Sequence, residues 1–468
     1  MTVDAIFPNN LAKQRSALGI TRDDLARRAA IDPRLLVELE EGRMLPTYEE
    51  LERVRGELGG VAPLELYAIS LVNSISDERY WQDGTSYKRF YQSMEEAGHL
   101  LVAPDEMLWL DRHVAPDRTV DVALNLSCST QFVPHIMLDA VSVLEALDVD
   151  FKAGASKMFC CGTYFRRTGK LTGTTRLNAA SVGRMRAWGA RTAVHTCTQC
   201  VNTFSEISRR HEYETGEHDA MTHIQLLRFL DERLTEMGDK VPWKKEVRTK
   251  IVGHGHSDFS LVHDKAKQDV AAVARHIPGV EFLGDLDQIF MDYICNSSLK
   301  TVGFSGEVRK GAKPLPPELE PPKTREAVAA RRTELARIVT SYGADTVSPQ
   351  HQTCLQMWQP FASETVRVRH ILSILAEALG VAHPDRYQAA SQLGDTDAIV
   401  EQTRPIWSQW GMTRELAFET ARGMFDPAYQ TANSQCACGK SASERCGNGG
   451  AEHLISIDVL KGRTATAH

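Results

Sequence analysis

The cysteines between Cys128 and Cys200 constrain this chain more than any other feature. They fall as Cys128, then 31 residues, the adjacent pair Cys160-Cys161, then 35 residues, and Cys197-Thr198-Gln199-Cys200. Five of the ten cysteines thus occupy one window of 73 residues. An adjacent Cys-Cys pair cannot point both side chains into one core, so a role as packing residues does not fit. Thiolates gathered from three chain segments suit iron–sulfur ligation, in which iron is bound by cysteine sulfur. Five sulfurs exceed the four that a tetrahedral zinc ion takes; a structural zinc site using four of them is the alternative.

At 468 residues the chain is too long for one ordinary core, and two to four domains are expected. No apolar run is long enough to span a bilayer, and the start Met-Thr-Val-Asp-Ala lacks the regions of a signal peptide. A cytoplasmic location and no membrane partner are therefore expected. In that compartment thiols stay reduced, which favours metal binding over disulfides.

Around the five cysteines the pattern is that of an α/β fold. Val120 to Leu126 is an apolar strand delivering Cys128, and Val133 to Leu147 reads as a helix. Lys157-Met158-Phe159 leads into Cys160-Cys161-Gly162, Leu177 to Trp188 is a second helix, and Arg191 to His195 a strand ending at Cys197. A further helix starts at Val201. Each cysteine then stands at the carboxyl edge of a sheet, where open α/β folds bind ligands and helix N-termini favour anions. His195 is a candidate donor to the ligands themselves, or a core histidine.

The pattern C-x31-CC-G-x34-C-x2-C resembles the cysteine-rich CCG domain of the heterodisulfide reductase family. The resemblance implies a noncubane 4Fe-4S cluster held by Cys128, Cys160, Cys161, Cys197 and Cys200, at which disulfide sulfur is bound and reduced. It covers roughly residues 118–370, and its motif is strong only in the first half.

The order of elements then recurs. Lys250 to Val252 is a strand ending near His254 and His256, Asp264 to Arg275 a helix, and Val280 to Leu283 a strand leading to Cys295-Asn296. After a Pro-rich insert from Lys313 to Lys323, Arg325 to Tyr342 is a helix, and Thr346-Val347 leads to His351-Gln352-Thr353-Cys354. Most cysteine positions of the motif are replaced here. His256, Cys295, His351 and Cys354 are candidates for a second metal site, such as zinc, or for a pocket covering the first.

Residues 9–58 read as short helices with clear end signals: Thr21 before Arg22 to Ala29, Asp32-Pro33 before a Leu35, Leu36, Leu39 stripe, and Gly19 and Gly42 as terminators. Ile20-Thr21, Leu25-Ala26, Ala29, Leu36, Glu40-x-Gly42, Pro46 and Leu51 give this stretch a resemblance to the helix-turn-helix of Xre/Cro repressors. The resemblance implies a double-stranded DNA operator as partner and a homodimer. Arg34 and Glu38 would face the major groove, and Arg22, Arg27, Arg28 and Arg43 the phosphates. Residues 1–65 nonetheless carry nine Lys/Arg against twelve Asp/Glu, a net −3, which suits a docking module better than a basic DNA footprint.

The expected organisation is α/β overall. A helix-turn-helix domain (1–65) and a helical connector (66–118) precede the first CCG domain (119–220), and a degenerate repeat (245–370), a helical region (371–430) and a flexible tail (431–468) follow. Cys436, Cys438 and Cys446 in the tail are candidate redox thiols. The fusion suggests a regulator whose cluster state sets DNA affinity. An iron–sulfur oxidoreductase component, served by a redox partner protein or a small thiol or disulfide, is the second expectation. No ferredoxin-type cysteine run, Gly-rich dinucleotide loop or flavin signature supports it.

Overall fold

The fold is that of a computed structural model, described for residues 9–61, 63–67, 95–107, 118–163, 171–216, 221–254, 269–286 and 325–426. His256, Cys295, Cys436, Cys438 and Cys446, the Pro-rich insert and most of the connector lie outside these residues.

Four short helices open the chain: α1 (Leu11–Ala17), α2 (Arg22–Arg28), α3 (Pro33–Glu40) and α4 (Tyr48–Glu57). Their ends follow from local chemistry. The Thr21 hydroxyl accepts from the Asp24 N–H, Asp32 accepts from the Arg34 N–H with Pro33 behind it, and Thr47 and Glu50 form a reciprocal capping box. Leu25, Leu36 and Leu39 are fully buried in a small core of their own. Glu40 stands beneath it, its side chain 1% exposed, and accepts from both Arg15 and Arg22.

Two four-stranded parallel sheets follow. The first comprises β1 (Val122–Asn125), β2 (Phe151–Gly154), β3 (Thr192–His195) and β4 (Thr222–Gln225), in the order β2-β1-β3-β4. The second comprises β5 (Thr249–His254), β6 (Val280–Asp285), β7 (Thr346–Pro349) and β8 (Arg367–Val368), in the matching order β6-β5-β7-β8. The central strands are buried along nearly their whole length, as parallel sheets covered on both faces must be. In register Asn125 stands opposite Gly154 and His195, and His254 opposite Pro349, so the carboxyl ends of each sheet are level.

Around the first sheet run α5 (His135–Ala146), α6 (Leu171–Ala187), α7 (Thr198–Thr215) and α8 (Leu226–Met237). Around the second run α9 (Arg325–Ser341), α10 (Gln352–Trp358) and α11 (Ile371–Leu379). The chain continues with α12 (Arg386–Leu393), α13 (Thr396–Trp407) and α14 (Arg414–Phe425). Helix α5 packs on α11, and one apolar core runs through both sheets. Asp139, wholly buried in that contact, accepts from the Ser373 hydroxyl at 2.6 Å and the His383 N–H at 2.8 Å, which removes the cost of an unpaired buried carboxylate.

Three local expectations are corrected. The strand preceding the Cys-Cys pair is Phe151–Gly154, while Ser156–Phe159 is a turn of 3-10 helix. A lysine in that strand, Lys152, hid it, although its side chain is buried. Helix α6 is already formed at Leu171, ahead of Leu177, through Gly173-Thr174-Thr175, residues of poor helix propensity overridden by tertiary contacts of Thr174. Helix α7 begins at Thr198, because Cys197 is its extended N-cap; the apolar period starts only at Val201, one turn later. Among the described residues no helix is long and apolar enough to cross a membrane.

Candidate metal centre

The backbone at the first cysteine is held in an unusual turn. Ser127 has φ of 52°, a left-handed conformation that a serine adopts only when its surroundings enforce it. The Asn125 side chain supplies that enforcement. It accepts from the Ser127 N–H at 2.9 Å and donates to the Phe159 carbonyl at 3.0 Å, tying the end of β1 to the segment entering Cys160. The Ser127, Thr130 and Thr196 hydroxyls close a buried hydrogen-bonded ring behind Cys128.

The Cys-Cys-Gly turn is clamped from α6. Ser181 Oγ donates to the Cys160 carbonyl at 3.0 Å, Asn178 Nδ2 to the Cys161 carbonyl at 3.3 Å, and Thr174 Oγ1 to the Gly162 carbonyl at 3.2 Å. Positions 174, 178 and 181 share one helical face, so one helix reads three successive carbonyls. Gly162 has φ of +86°, and a Cβ there would lie 3.0 Å from the Thr174 backbone, so only glycine fits. Cys197 and Cys200 sit at the cap and in the first turn of α7, whose positive dipole end favours an anionic group.

All five thiols are buried, between 1% and 5% exposed, and none of the described cysteines forms a disulfide. They form a row of hydrogen-bonding neighbours running Cys128, Cys160, Cys161, Cys200, Cys197. Hydrogen bonding to Cys160 together with burial pushes the Cys128 and Cys161 thiols well up, and the hydrogen bonds of Cys200 to Cys161 and Cys197 do the same for Cys200. Cys197 is held well below the ordinary thiol range, by the Cys200 hydrogen bond and then by His351. Cys197 is thus the thiol most biased toward the thiolate, the form in which sulfur binds a metal.

The candidates from the second half separate. His351, at the start of α10, reaches the first site: its Nε2 lies 3.1 Å from the Cys197 sulfur. Cys354 is fully buried in the same helix, and α10 packs against the Ser129–Phe132 turn that follows Cys128. His254 is buried at the end of β5, edge-on to Trp358 with ring centroids 5.1 Å apart. His195, the last residue of β3, packs beside His223. It is buried against Phe204, and its Nε2 lies 3.0 Å from His223 Nδ1; burial holds it far below the usual histidine range.

At the N-terminus Arg27 and Arg28 are exposed, and Arg22 is half-exposed and bonded to Glu40. Arg34 pairs with Asp32 and lies over the Tyr213 ring at 5.7 Å. Glu38 and Arg43 pair with each other at 2.5 Å, and Arg43 also bonds Glu41. Asn125, Thr174, Asn178 and Ser181 escaped the sequence reading. The last three were legible as small polar residues at helical spacing; Asn125 carried no local signal.

Among the described residues no three His, Cys, Asp or Glu side chains converge as the ligands of a single ion do. The five thiols come together from three segments, and as soft donors they fit an iron–sulfur group.

A family model described as "CCG: Cysteine-rich domain" matches residues 122–205, which hold all five cysteines. No curated protein matches the chain. Among solved structures, a hypothetical protein from Helicobacter pylori is similar over 79% of this chain and 68% of its own, at 12% identity and a TM-score of 0.37, a likeness too distant to support an assignment. Residues 122–205 form a CCG cysteine-rich domain, and its five thiols point to an iron–sulfur-related function.

Proposed function

We propose that this chain is a cytoplasmic regulator in which a noncubane 4Fe-4S cluster, held by Cys128, Cys160, Cys161, Cys197 and Cys200, sets the DNA affinity of the N-terminal helices in a homodimer. Bound there, the cluster would supply one-electron redox chemistry. The observation that carries the reading is helix α7. Cys197 caps it, its first turn holds Cys200, and its last two turns hold the N-terminal module. Arg210 bonds Glu50 and the Leu45 carbonyl, Arg209 bonds the Arg43 carbonyl, and Tyr213 lies beneath Arg34. A helix transmits a shift at one end as a rigid body, so a change of ligation at Cys197 or Cys200 bears on the segment joining α3 to α4. Two arrangements of that contact with different DNA affinity would make the protein a switch.

The test is anaerobic purification with iron and sulfide analysis, followed by binding to duplex from the protein's own promoter before and after oxidation. The reading expects about four irons and four sulfides per chain, their loss in Cys160→Ser, and DNA affinity that changes on oxidation. Full iron and sulfide in Cys160→Ser and Cys161→Ser would overturn the ligand set, and absence of duplex binding at low salt would overturn the regulator.

A second reading rests on the charge of the N-terminal module. With a net −3 over residues 1–65 and with Glu38 and Arg43 bound to each other, the module suits docking to a protein. The chain would then be an iron–sulfur component that reduces a disulfide or passes electrons. Iron without DNA binding selects this reading.

A further inference from the structure

The two sheets place His351 and Cys197 at equivalent positions. Each stands two residues beyond the last residue of a third strand, Cys197 after His195 and His351 after Pro349, and each opens a helix that carries a cysteine three residues on. Cys354 is thus the counterpart of Cys200. The second half has kept the turn and changed the chemistry at its first position. The imidazole put there does not stay within its own half: it crosses to Cys197, with Nε2 3.1 Å from the sulfur. Helix α10, which carries it, is seated on the Ser129–Phe132 turn next to Cys128, so the second half covers the row of thiols from that side.

We infer that His351 is a positioning residue of the metal centre, donating an Nε2–H hydrogen bond to the Cys197 sulfur and thereby raising the reduction potential of the group bound there. A metal-bound thiolate has no proton, so the contact is favourable only with the imidazole as donor, and this fixes the tautomer. Hydrogen bonds to cluster sulfurs are among the factors that set iron–sulfur potentials, because they stabilise the more negative, reduced state. The inference rests on the cluster reading and adds to it a control point belonging to the other half of the molecule.

The experiment is an EPR-monitored redox titration of the anaerobically purified full-length chain, wild type beside His351→Leu and His351→Gln, with iron and sulfide measured on each sample. His351→Leu is expected to keep the wild-type iron and sulfide content and to titrate at a more negative potential. His351→Gln, which retains an N–H donor, is expected to recover part of the shift. Equal potentials at equal loading would overturn the inference while leaving the cluster reading intact. Loss of iron in folded His351→Leu would overturn it in favour of direct ligation. A wild-type protein without iron would overturn the cluster reading and this inference with it.

Discussion

Arg210 grips Glu50 through two hydrogen bonds, at 3.1 and 3.0 Å, about 20 Å along the helix that Cys197 caps. Both side chains are mostly buried, 20% and 13% exposed, and Glu50 also accepts from the Thr47 N–H at the start of α4. Burial alone would discourage ionisation of Glu50; the guanidinium and the α4 cap reverse this and hold it below the ordinary carboxylate range. One pair therefore fastens the cysteine-bearing helix to the N-terminal module.

Replacing Arg210 by Leu leaves that carboxylate half-sequestered with only its cap partner. The expected loss is about 2 kcal/mol, the scale of a charged hydrogen-bonded pair broken on one side. It would be read as a lower urea midpoint at unchanged iron content. On the regulator reading the variant would also bind DNA with an affinity indifferent to oxidation. An unchanged midpoint would show that the pair does not fasten the two parts.

Gly162→Ala tests the Cys-Cys-Gly turn. The added methyl would press on the Thr174 backbone at 3.0 Å while the backbone holds φ of +86°. Strain of about 1–3 kcal/mol follows. The turn would escape it by rotating the Cys160 and Cys161 sulfurs, so iron content is expected to fall while far-UV circular dichroism stays native. Full iron content would show that the turn tolerates a side chain.

Much of this was readable beforehand because the governing interactions are local in sequence. Thr21, Asp32 and Pro33 place helix starts through contacts within three residues, and both caps are present. The third strand of each sheet is a short segment built on one buried valine, Val194 and Val347, and the two sheets have the same strand order. What stayed hidden depends on partners far along the chain. Lys152 disguised a strand because its burial is imposed by the fold. Asn125 acts on Phe159, 34 residues away, and Ser373 on Asp139, 234 residues away. No period or spacing announces such contacts.

The clamp on the cysteine carbonyls gives a third prediction. Asn178→Leu keeps the branched shape and favours the helix, but leaves the buried Cys161 carbonyl without its donor. About 1–3 kcal/mol of local stability is expected to be lost. Because α6 bonds the backbone and not the sulfurs, iron should still load, and a ferrous chelator should strip it several times faster than from wild type. Equal stripping rates would mean that the carbonyl finds water without cost.

The last prediction concerns pH. His370 is buried, and burial above all, with His135 and His351 nearby, lowers its pKa to about 4 although the Gln350 carbonyl favours the charged form. Its Nδ1 accepts from the Leu372 N–H at the start of α11, and Nε2–H donates to the Gln350 carbonyl, so the folded protein holds one neutral tautomer. As pH falls through about 6.5 the unfolded chain takes up a proton that the folded chain refuses, so stability declines from there until the folded pKa near 4 is reached. Above pH 6.5 the contribution is complete. A shift of this size corresponds to at most about 3 kcal/mol. His370→Asn can keep the cap on α11 without titrating in this range. Its unfolding free energy between pH 7 and 4 should therefore fall less than that of wild type, by up to that amount, in parallel urea titrations. Identical pH profiles would show that His370 is protonated alike in both states, and would remove it as a source of acid sensitivity beside the metal centre.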